Sequence, residues 1–361
     1  MTSRSTPPTG EPMQAEAGED GSAVHTPAHL PGVAQMPATT DLASGSTANV
    51  PASSEQNKKS IRARRRREAR FGWTFLAPFA IFFTISFVIP ILVSIRSSFF
   101  KLVPKGGGLY GGGESVEQFV GLQNYEEVVM NARFWRGIGR VLLFGAFQIP
   151  VMILGALALA LLLDSLLIRR ISAYRLGFFL PYAIPGIIAA MVWLYLYNPQ
   201  MSPIVYGLQQ LGFDVNFFDR NIILASMANM TTWTFTGYNM LIFLAALHSV
   251  PSELYEAARI DGATGWQVIT KIKIPLLRPA ALLAVLLSII GTIQLFNEPQ
   301  VMYTQNTWMG ADYTPMMMAY NTMMGQLSPS GAGPASAVSI VMALIAAVLA
   351  AIYAFAQRKV D

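Results

Sequence analysis

Two sets of polar residues in this sequence sit where packing alone would not put them. Gln294, Asn297 and Glu298 fall at i, i+3 and i+4, one face of a helix, inside a long apolar stretch, with Phe296 beside them. Thr231, Thr234 and Tyr238 share a face in a second apolar stretch, with Trp233 adjacent. Polar groups are costly in lipid, so inside an apolar span they turn toward a bundle interior or a pathway. Amides, hydroxyls and aromatic faces together suit a neutral polyhydroxylated solute, through hydrogen bonds to its hydroxyls and stacking on its apolar faces. No Lys or Arg lies in the interior of these stretches, which disfavours a phosphate ester. Helix packing competes with solute contact at each Thr, because Thr and Asn also join helices within membranes. Glu298 offers a second chemistry, that of a proton site.

A third set lies between the two apolar stretches. Glu253 to Pro279 reads ELYEAARIDGATGWQVITKIKIPLLRP, with Glu253, Glu256, Arg259, Asp261, Lys271, Lys273 and Arg278 among its charges. It does not belong in lipid. Ser252 after Pro251 is a fair helix N-cap, and Glu253 and Glu256 fall in the first turns, where the helix dipole favours anions. Gly262 is placed to end that helix in a left-handed cap. Thr264 opens a second short helix, with Gln267 completing a capping box, and Pro275 ends it. Helix, glycine turn and helix, with small Ala257 and Ala258 on the first, make a knob that a partner backbone can approach closely.

The elements that must position these sets are membrane spans. The chain has 361 residues, 53% of them hydrophobic and 12% charged, and a mean hydropathy of +0.43. A soluble domain carries about a quarter charged residues. Six runs are long enough to cross a bilayer, which takes about 20 apolar residues. They are roughly 72–93, 141–163, 177–197, 222–247, 280–303 and 336–356, and the fourth is the weakest by hydropathy. Pro181 and Pro185 in the third can break helical geometry and expose backbone. With the N-terminus inside, 18 of the 25 Lys and Arg fall on inner segments and seven on outer ones. That bias makes both termini and the 253–279 stretch cytoplasmic. Outside, KGGGLYGGG reads as a flexible loop, and FVGLQNYEEVVMNARFW as a short helix on the outer membrane surface.

The remaining composition mostly excludes. There is no Cys, and the three His are His25, His29 and His248, so neither a thiol nucleophile nor a His-based catalytic or metal site is expected. Residues 1–57 are rich in Pro, Ser, Thr, Ala and Gly without apolar periodicity and read as a disordered cytoplasmic tail. Lys58–Arg70 carries eight Lys or Arg. Its place beside the first span makes it a basic juxtamembrane anchor and not a nucleic-acid site. No G-x-x-x-x-G-K-[ST] loop occurs, so ATP-driven work would need another chain.

The spacing Glu256-Ala257-Ala258, then Gly262, then Ile272, then Ile274-Pro275 resembles the EAA motif of the membrane subunits of binding-protein-dependent ABC importers, with Ile274 in place of the usual Leu. FVGLQNY before the second span, FFLPYAIPGIIAAMVWLYLYNP in the third and LYEAARIDGA resemble the carbohydrate, maltose-transporter-like branch. The resemblance covers about Phe71 to Lys359. It implies an all-α integral membrane protein of six transmembrane helices, with residues 71–361 a type I ABC transmembrane domain and a cytoplasmic coupling helix between spans four and five. It implies a permease subunit, not an enzyme, for a sugar or oligosaccharide in a bacterial plasma membrane. Its partners would be a second, different permease chain, two ATPase subunits holding ATP and magnesium, and an external solute-binding protein. Carried onto this sequence, Glu256, Ala257, Ala258, Arg259, Asp261, Gly262, Ile272 and Pro275 form the ATPase-coupling loop. Glu256 would make a charge contact and Arg259 pair with an acidic rim. Tyr238, Trp233, Thr234, Gln294, Phe296, Asn297 and Glu298 are the candidate solute pathway. The competing reading is a proton-coupled secondary transporter using Glu298, which leaves the EAA element without a purpose.

Overall fold

A computed structural model of the chain describes residues 52–105, 114–165 and 170–357. Contacts divide the chain into two units, Met1–Gly72 and Trp73–Asp361. In the first, the described part is the start of helix α1 (Ala52–Phe83), where Arg64 pairs with Glu68 one turn on at 2.8 Å. The tail assignment up to residue 51 lies outside the described residues. Residues 52–57 depart from it and are helical: beyond Pro51 the Ala, Glu, Gln and Lys run favours helix, and the basic segment extends the same helix.

In the second unit α1 leads through a π-helical turn, Thr84–Val88, into α2 (Ile89–Ser97). Pro90 has no N–H to donate back along the helix, and Ile89 N–H reaches Thr84 O instead, which widens the turn. A correction to the all-α expectation follows. Strands β1 (Phe100–Lys105) and β2 (Glu114–Phe119) form an antiparallel hairpin with Phe100 opposite Phe119 and Val103 opposite Val116. The two rings meet edge-on at 5.5 Å. The two strands, FKLVPK and ESVEQF, carry β-formers Phe and Val but no clean period-two pattern, so no strand signal stands out beside the glycine run. The glycine loop itself, 106–113, lies outside the described residues. The outer-surface helix is confined to α3 (Gln123–Val129), because Asn131 caps a new helix by accepting from Arg133 N at 2.9 Å.

That new helix, α4 (Ala132–Asp164), has 33 residues and begins two turns before the expected second span. At 1.5 Å per residue it is about 50 Å long, well over the hydrocarbon thickness of about 30 Å. The stretch expected as the third span is sharply bent, as Pro181 and Pro185 suggest. Helix α5 (Ile171–Phe179) runs into a 3-10 turn, Leu180–Ala183, and α6 (Gly186–Tyr197) leaves at 97°. Ile184, the residue before Pro185, is extended at φ −81, ψ 129. A short α7 (Pro203–Gln210) follows, capped by the Ser202 hydroxyl. Then come α8 (Ile223–His248), the charged element α9 (Ser252–Ile260), α10 (Gly265–Val268) and α11 (Ile274–Leu276), and next α12 (Arg278–Ile293). Helices α13 (Asn297–Tyr303), α14 (Pro315–Met323) and α15 (Ala332–Gln357) complete the described chain.

By length and apolarity four helices among the described residues suffice to cross a membrane, or five with the bent pair. Helix α8 is long enough but too polar. It is also the best enclosed: it makes its most extensive contact with α4, and Met240, Phe243, Leu244 and Leu247 join α4 and α12 in one buried cluster. A helix sheltered by its neighbours does not need a lipid-compatible surface all round. A second buried cluster joins α4, α6, α8 and the 295–317 region, and a third joins α3, α4, α14 and α15.

Candidate functional site

A cavity of about 300 Å³ opens between α4, the turn before α6, α8, α12 and α13. Helix α8 contributes Thr231, Phe235, Tyr238 and Asn239; α4 contributes Phe144, Gln148 and Met152. Two breaks in the helices supply the rest. At the first, Tyr182 stacks on Tyr238 with ring centroids 4.7 Å apart and planes 18° from parallel, and meets Phe235 at 5.7 Å. At the second, α12 stops at Ile293 and Gln294, Leu295 and Phe296 line the wall before α13 begins. Pro299 explains that stop: it has no N–H for the Leu295 carbonyl, and its ring crowds the residue four back. Thr314 Oγ1 donates to the freed Leu295 carbonyl at 3.0 Å, so the broken backbone is not left unsatisfied.

The polar groups in the cavity are held individually. Thr231 Oγ1 donates to Glu298 Oε1 at 3.0 Å. Gln148, only 1% exposed, donates to the Met152 sulfur at 3.2 Å, and Asn239 donates to Phe235 O at 3.0 Å. Asn297 rests on the bare backbone of Gly186: a Cβ there would lie 2.6 Å from Asn297 Nδ2. Helices α5 and α8 touch backbone to backbone, since a Cβ on Gly237 would lie 1.8 Å from the Phe178 carbonyl oxygen.

Of the expected pathway residues, Tyr238, Gln294, Phe296, Asn297 and Glu298 line this cavity. Trp233 and Thr234 do not. Trp233 meets Trp193 edge-on at 5.7 Å, and Thr234 is buried with its hydroxyl on Met230 O at 3.0 Å. The single face drawn through Gln294, Asn297 and Glu298 is also corrected: the helix is interrupted between 294 and 297, and the three converge from both sides of the break. Gln148, Tyr182 and Asn239 were missed. Asn239 was readable, being one residue on from Tyr238 in a polar-rich span. Gln148 stands alone in a greasy helix and gave no pattern.

The charged element has the expected outline with two local changes. Pro251 takes the cap position and Ser252 the first turn of α9, and no side chain caps that end. Helix α9 ends on Gly262 at φ +80, with Ala263 N–H donating to Ala258 O at 2.9 Å and Gly262 N–H to Arg259 O at 3.0 Å, a Schellman closure. Thr264 and Gln267 form the capping box, Thr264 N–H reaching Gln267 Oε1 at 2.7 Å. Pro275 does not end the element. A π-helical turn, Ile269–Lys273, passes through α11 and Leu277 into α12 almost without interruption. The widened turn tolerates the missing Pro275 N–H. Glu256, Ala257, Arg259, Asp261 and Gly262 are exposed, whereas Ala258, Ile272 and Pro275 are half-buried. Leu254, Ile260 and Trp266 are exposed with them, Ile260 at 86%. Burial first, and the Asp164 carboxylate second, push the Tyr255 phenol above its ordinary value.

A broken-helix cavity and an exposed charged element lie between helices of membrane length. The chain belongs to the family of binding-protein-dependent transport system inner membrane components, whose model matches residues 133–361. It is thus a multi-pass inner membrane protein. It is 29% identical over 297 residues to the lactose transport system permease protein LacF of Rhizobium radiobacter, covering 80% of this chain and 94% of that one. It is 29% identical over 283 residues to the arabinooligosaccharides transport system permease protein AraP of Bacillus subtilis, covering 78% and 86%. In fold it is similar to a chain of a bacterial ABC transporter involved in the import of the acidic polysaccharide alginate, with TM-score 0.66 and 20% identity over 83% of this chain and 99% of that one.

Proposed function

We propose that this chain is one permease half of an ATP-driven importer of a sugar or oligosaccharide. One of two ATPase subunits would dock on Ser252–Leu276, a different homologous permease would complete the pathway, and an external binding protein would deliver the solute. The chain would cross the membrane six times, α8 and the bent α5–α6 pair included, with both termini cytoplasmic. One observation carries this reading: the EAA spacing coincides with an exposed helix closed by a left-handed glycine, between two membrane-length elements. Glu256 and Arg259 would meet the ATPase through charge, and Ala257 through close packing. The cavity would hold part of the solute, with Tyr182 and Tyr238 as a stacking platform and Asn297, Gln294 and Glu298 as hydrogen-bonding groups. Membership of a binding-protein-dependent family gives no reason for a proton site, and Glu298 is assigned to solute binding instead.

The test is uptake into proteoliposomes. The chain is reconstituted alone, then with its neighbouring permease, ATPase and binding protein, each with and without Glu256→Ala and Gly262→Pro. Uptake is expected only in the complete set, and its loss in the variants while the membrane pair still assembles. Uptake by the chain alone under a proton gradient, indifferent to both substitutions, would overturn the proposal.

A further inference from the structure

The charged element is joined to the membrane helices through one carboxylate. Asp164 is the last residue of α4. Lys273, in the π-helical turn, donates to Asp164 Oδ2 at 2.5 Å, and each side chain is only 15% exposed. On the other side His248, the last residue of α8, brings Nε2 to 3.8 Å from Asp164 Oδ1 and to 3.4 Å from Arg175 Nη2 of α5. The Lys273 ammonium also stands 5.1 Å from the centre of the Tyr255 ring on α9. Among the described residues Lys273–Asp164 is the ion pair that links this element to the membrane helices. The Tyr255 hydroxyl and Arg175 Nε are buried here with no hydrogen-bond partner.

Simple adhesion would be served as well by apolar residues, since a half-buried ion pair gains little over a hydrophobic contact of the same size. Leu277 already supplies that contact, buried against Leu163 and Leu247. An ion pair adds something different: separating it strands a half-buried charge, so its two ends resist moving apart. Its lysine lies in a π-helical turn, a segment type that often marks functional sites.

We propose that Asp164 is a positioning residue that makes α4, which lines the cavity, follow the coupling element through Lys273. The proposal rests on the reading of Ser252–Leu276 as the ATPase-docking element. Asp164 itself touches neither solute nor nucleotide; its role is to convert displacement of the element into displacement of that helix.

The assay is the ratio of sugar taken up to ATP hydrolysed by the complete reconstituted importer, with radiolabelled lactose and an arabinooligosaccharide as probes. Asp164→Asn is expected to keep ATP hydrolysis within about twofold and to lower the ratio at least tenfold, and Lys273→Met to lower the ratio to a similar degree. The exchange Asp164→Lys with Lys273→Asp should recover much of it. Assembly is followed by co-purification of both permeases and the ATPase. If Asp164→Asn does not assemble, Lys273→Met and the exchange pair decide. Uptake and hydrolysis falling in proportion, or an unchanged ratio, overturns the inference. Gly262→Pro is run in parallel. If it abolishes uptake and the Asp164 series leaves the ratio unchanged, only this inference fails; if Gly262→Pro also has no effect, the docking reading fails with it.

Discussion

Gly186→Ala tests the cavity through a residue that lines it only indirectly. A Cβ at position 186 would lie 2.6 Å from Asn297 Nδ2, and ordinary contact begins at 3.4 Å, so one of the two must retreat by about 0.8 Å. The three atoms nearest that Cβ, at 2.6, 3.4 and 3.9 Å, all belong to the Asn297 side chain, so the amide gives way and the backbone stays. A displacement of that size breaks a hydrogen bond from the amide to a bound hydroxyl, whose geometry is limited to a few tenths of an ångström. One such bond is worth about 0.5–1.5 kcal/mol, or roughly 2- to 12-fold in apparent affinity. The half-saturating sugar concentration in the proteoliposome assay should rise by that factor, with assembly and thermal stability nearly unchanged. Asn297→Ala removes the same group, so the double variant should be no worse than Asn297→Ala alone. Fully additive losses, or a Gly186→Ala chain that no longer assembles, would refute the reasoning.

Gly237→Ala has the opposite signature: its Cβ would lie 1.8 Å from a backbone oxygen of α5, so the helices must separate. The cost should exceed the usual overpacking range of about 1–3 kcal/mol, seen as lost assembly or a large fall in Tm. Tyr238→Ala removes the stack on Tyr182, an arrangement worth about 0.5–1.5 kcal/mol beyond area, and should weaken sugar uptake by a similar factor without affecting ATPase docking. Gly262→Ala forces a side chain onto φ +80 at a cost of about 1–2 kcal/mol, and should weaken ATPase co-purification while leaving membrane insertion intact. Glu298→Gln keeps an acceptor for Thr231 and removes the charge; uptake should fall by no more than about tenfold, and a complete loss tied to the proton gradient would favour the set-aside proton role.

The legible parts of this chain were those whose signal is local. Gly262, Thr264 and Gln267 each name a backbone conformation, and each conformation is present. Pro181 and Pro185 announced the bend of the third span. The hairpin was hidden because the short runs on either side of the glycines at 106–108 and 111–113 do not alternate apolar and polar residues; their pairing is set by the connection, not by a local period. Trp233 and Thr234 lie off the cavity for a different reason. A helical face is defined by spacing, but which face turns inward is decided by neighbours far away in sequence, and α4 approaches α8 from the side of Asn239 and Met240. The Asp164–Lys273 pair, 109 residues apart, has no local signature at all.

Pro299 shows how a local signal can be present and still be read past. It sits in a short polar run, Asn297-Glu298-Pro299-Gln300, just past a long apolar one, and the stretch from 278 to 303 still passes as one span by length and apolarity. The proline nevertheless forbids the bond to Leu295 and splits the span beside the cavity. The same device operates beside it, where Pro181 and Pro185 split α5 from α6 and Tyr182 stacks on Tyr238. In lipid a broken helix is tolerable only where protein or polar groups meet its freed backbone, and here Thr314 meets Leu295 while Tyr182 and Asn297 turn inward. Two interruptions facing one polar helix are therefore mutually dependent. Each supplies lining that an unbroken helix would turn elsewhere, and α8 can be too polar for lipid because both breaks and α4 surround it. Removing the second break with Pro299→Ala should restore the missing bond and extend α12, raising Tm while emptying the cavity wall of Gln294 and Phe296. A variant that is more stable and still transports normally would show that the break at Gln294–Phe296 is incidental to solute passage.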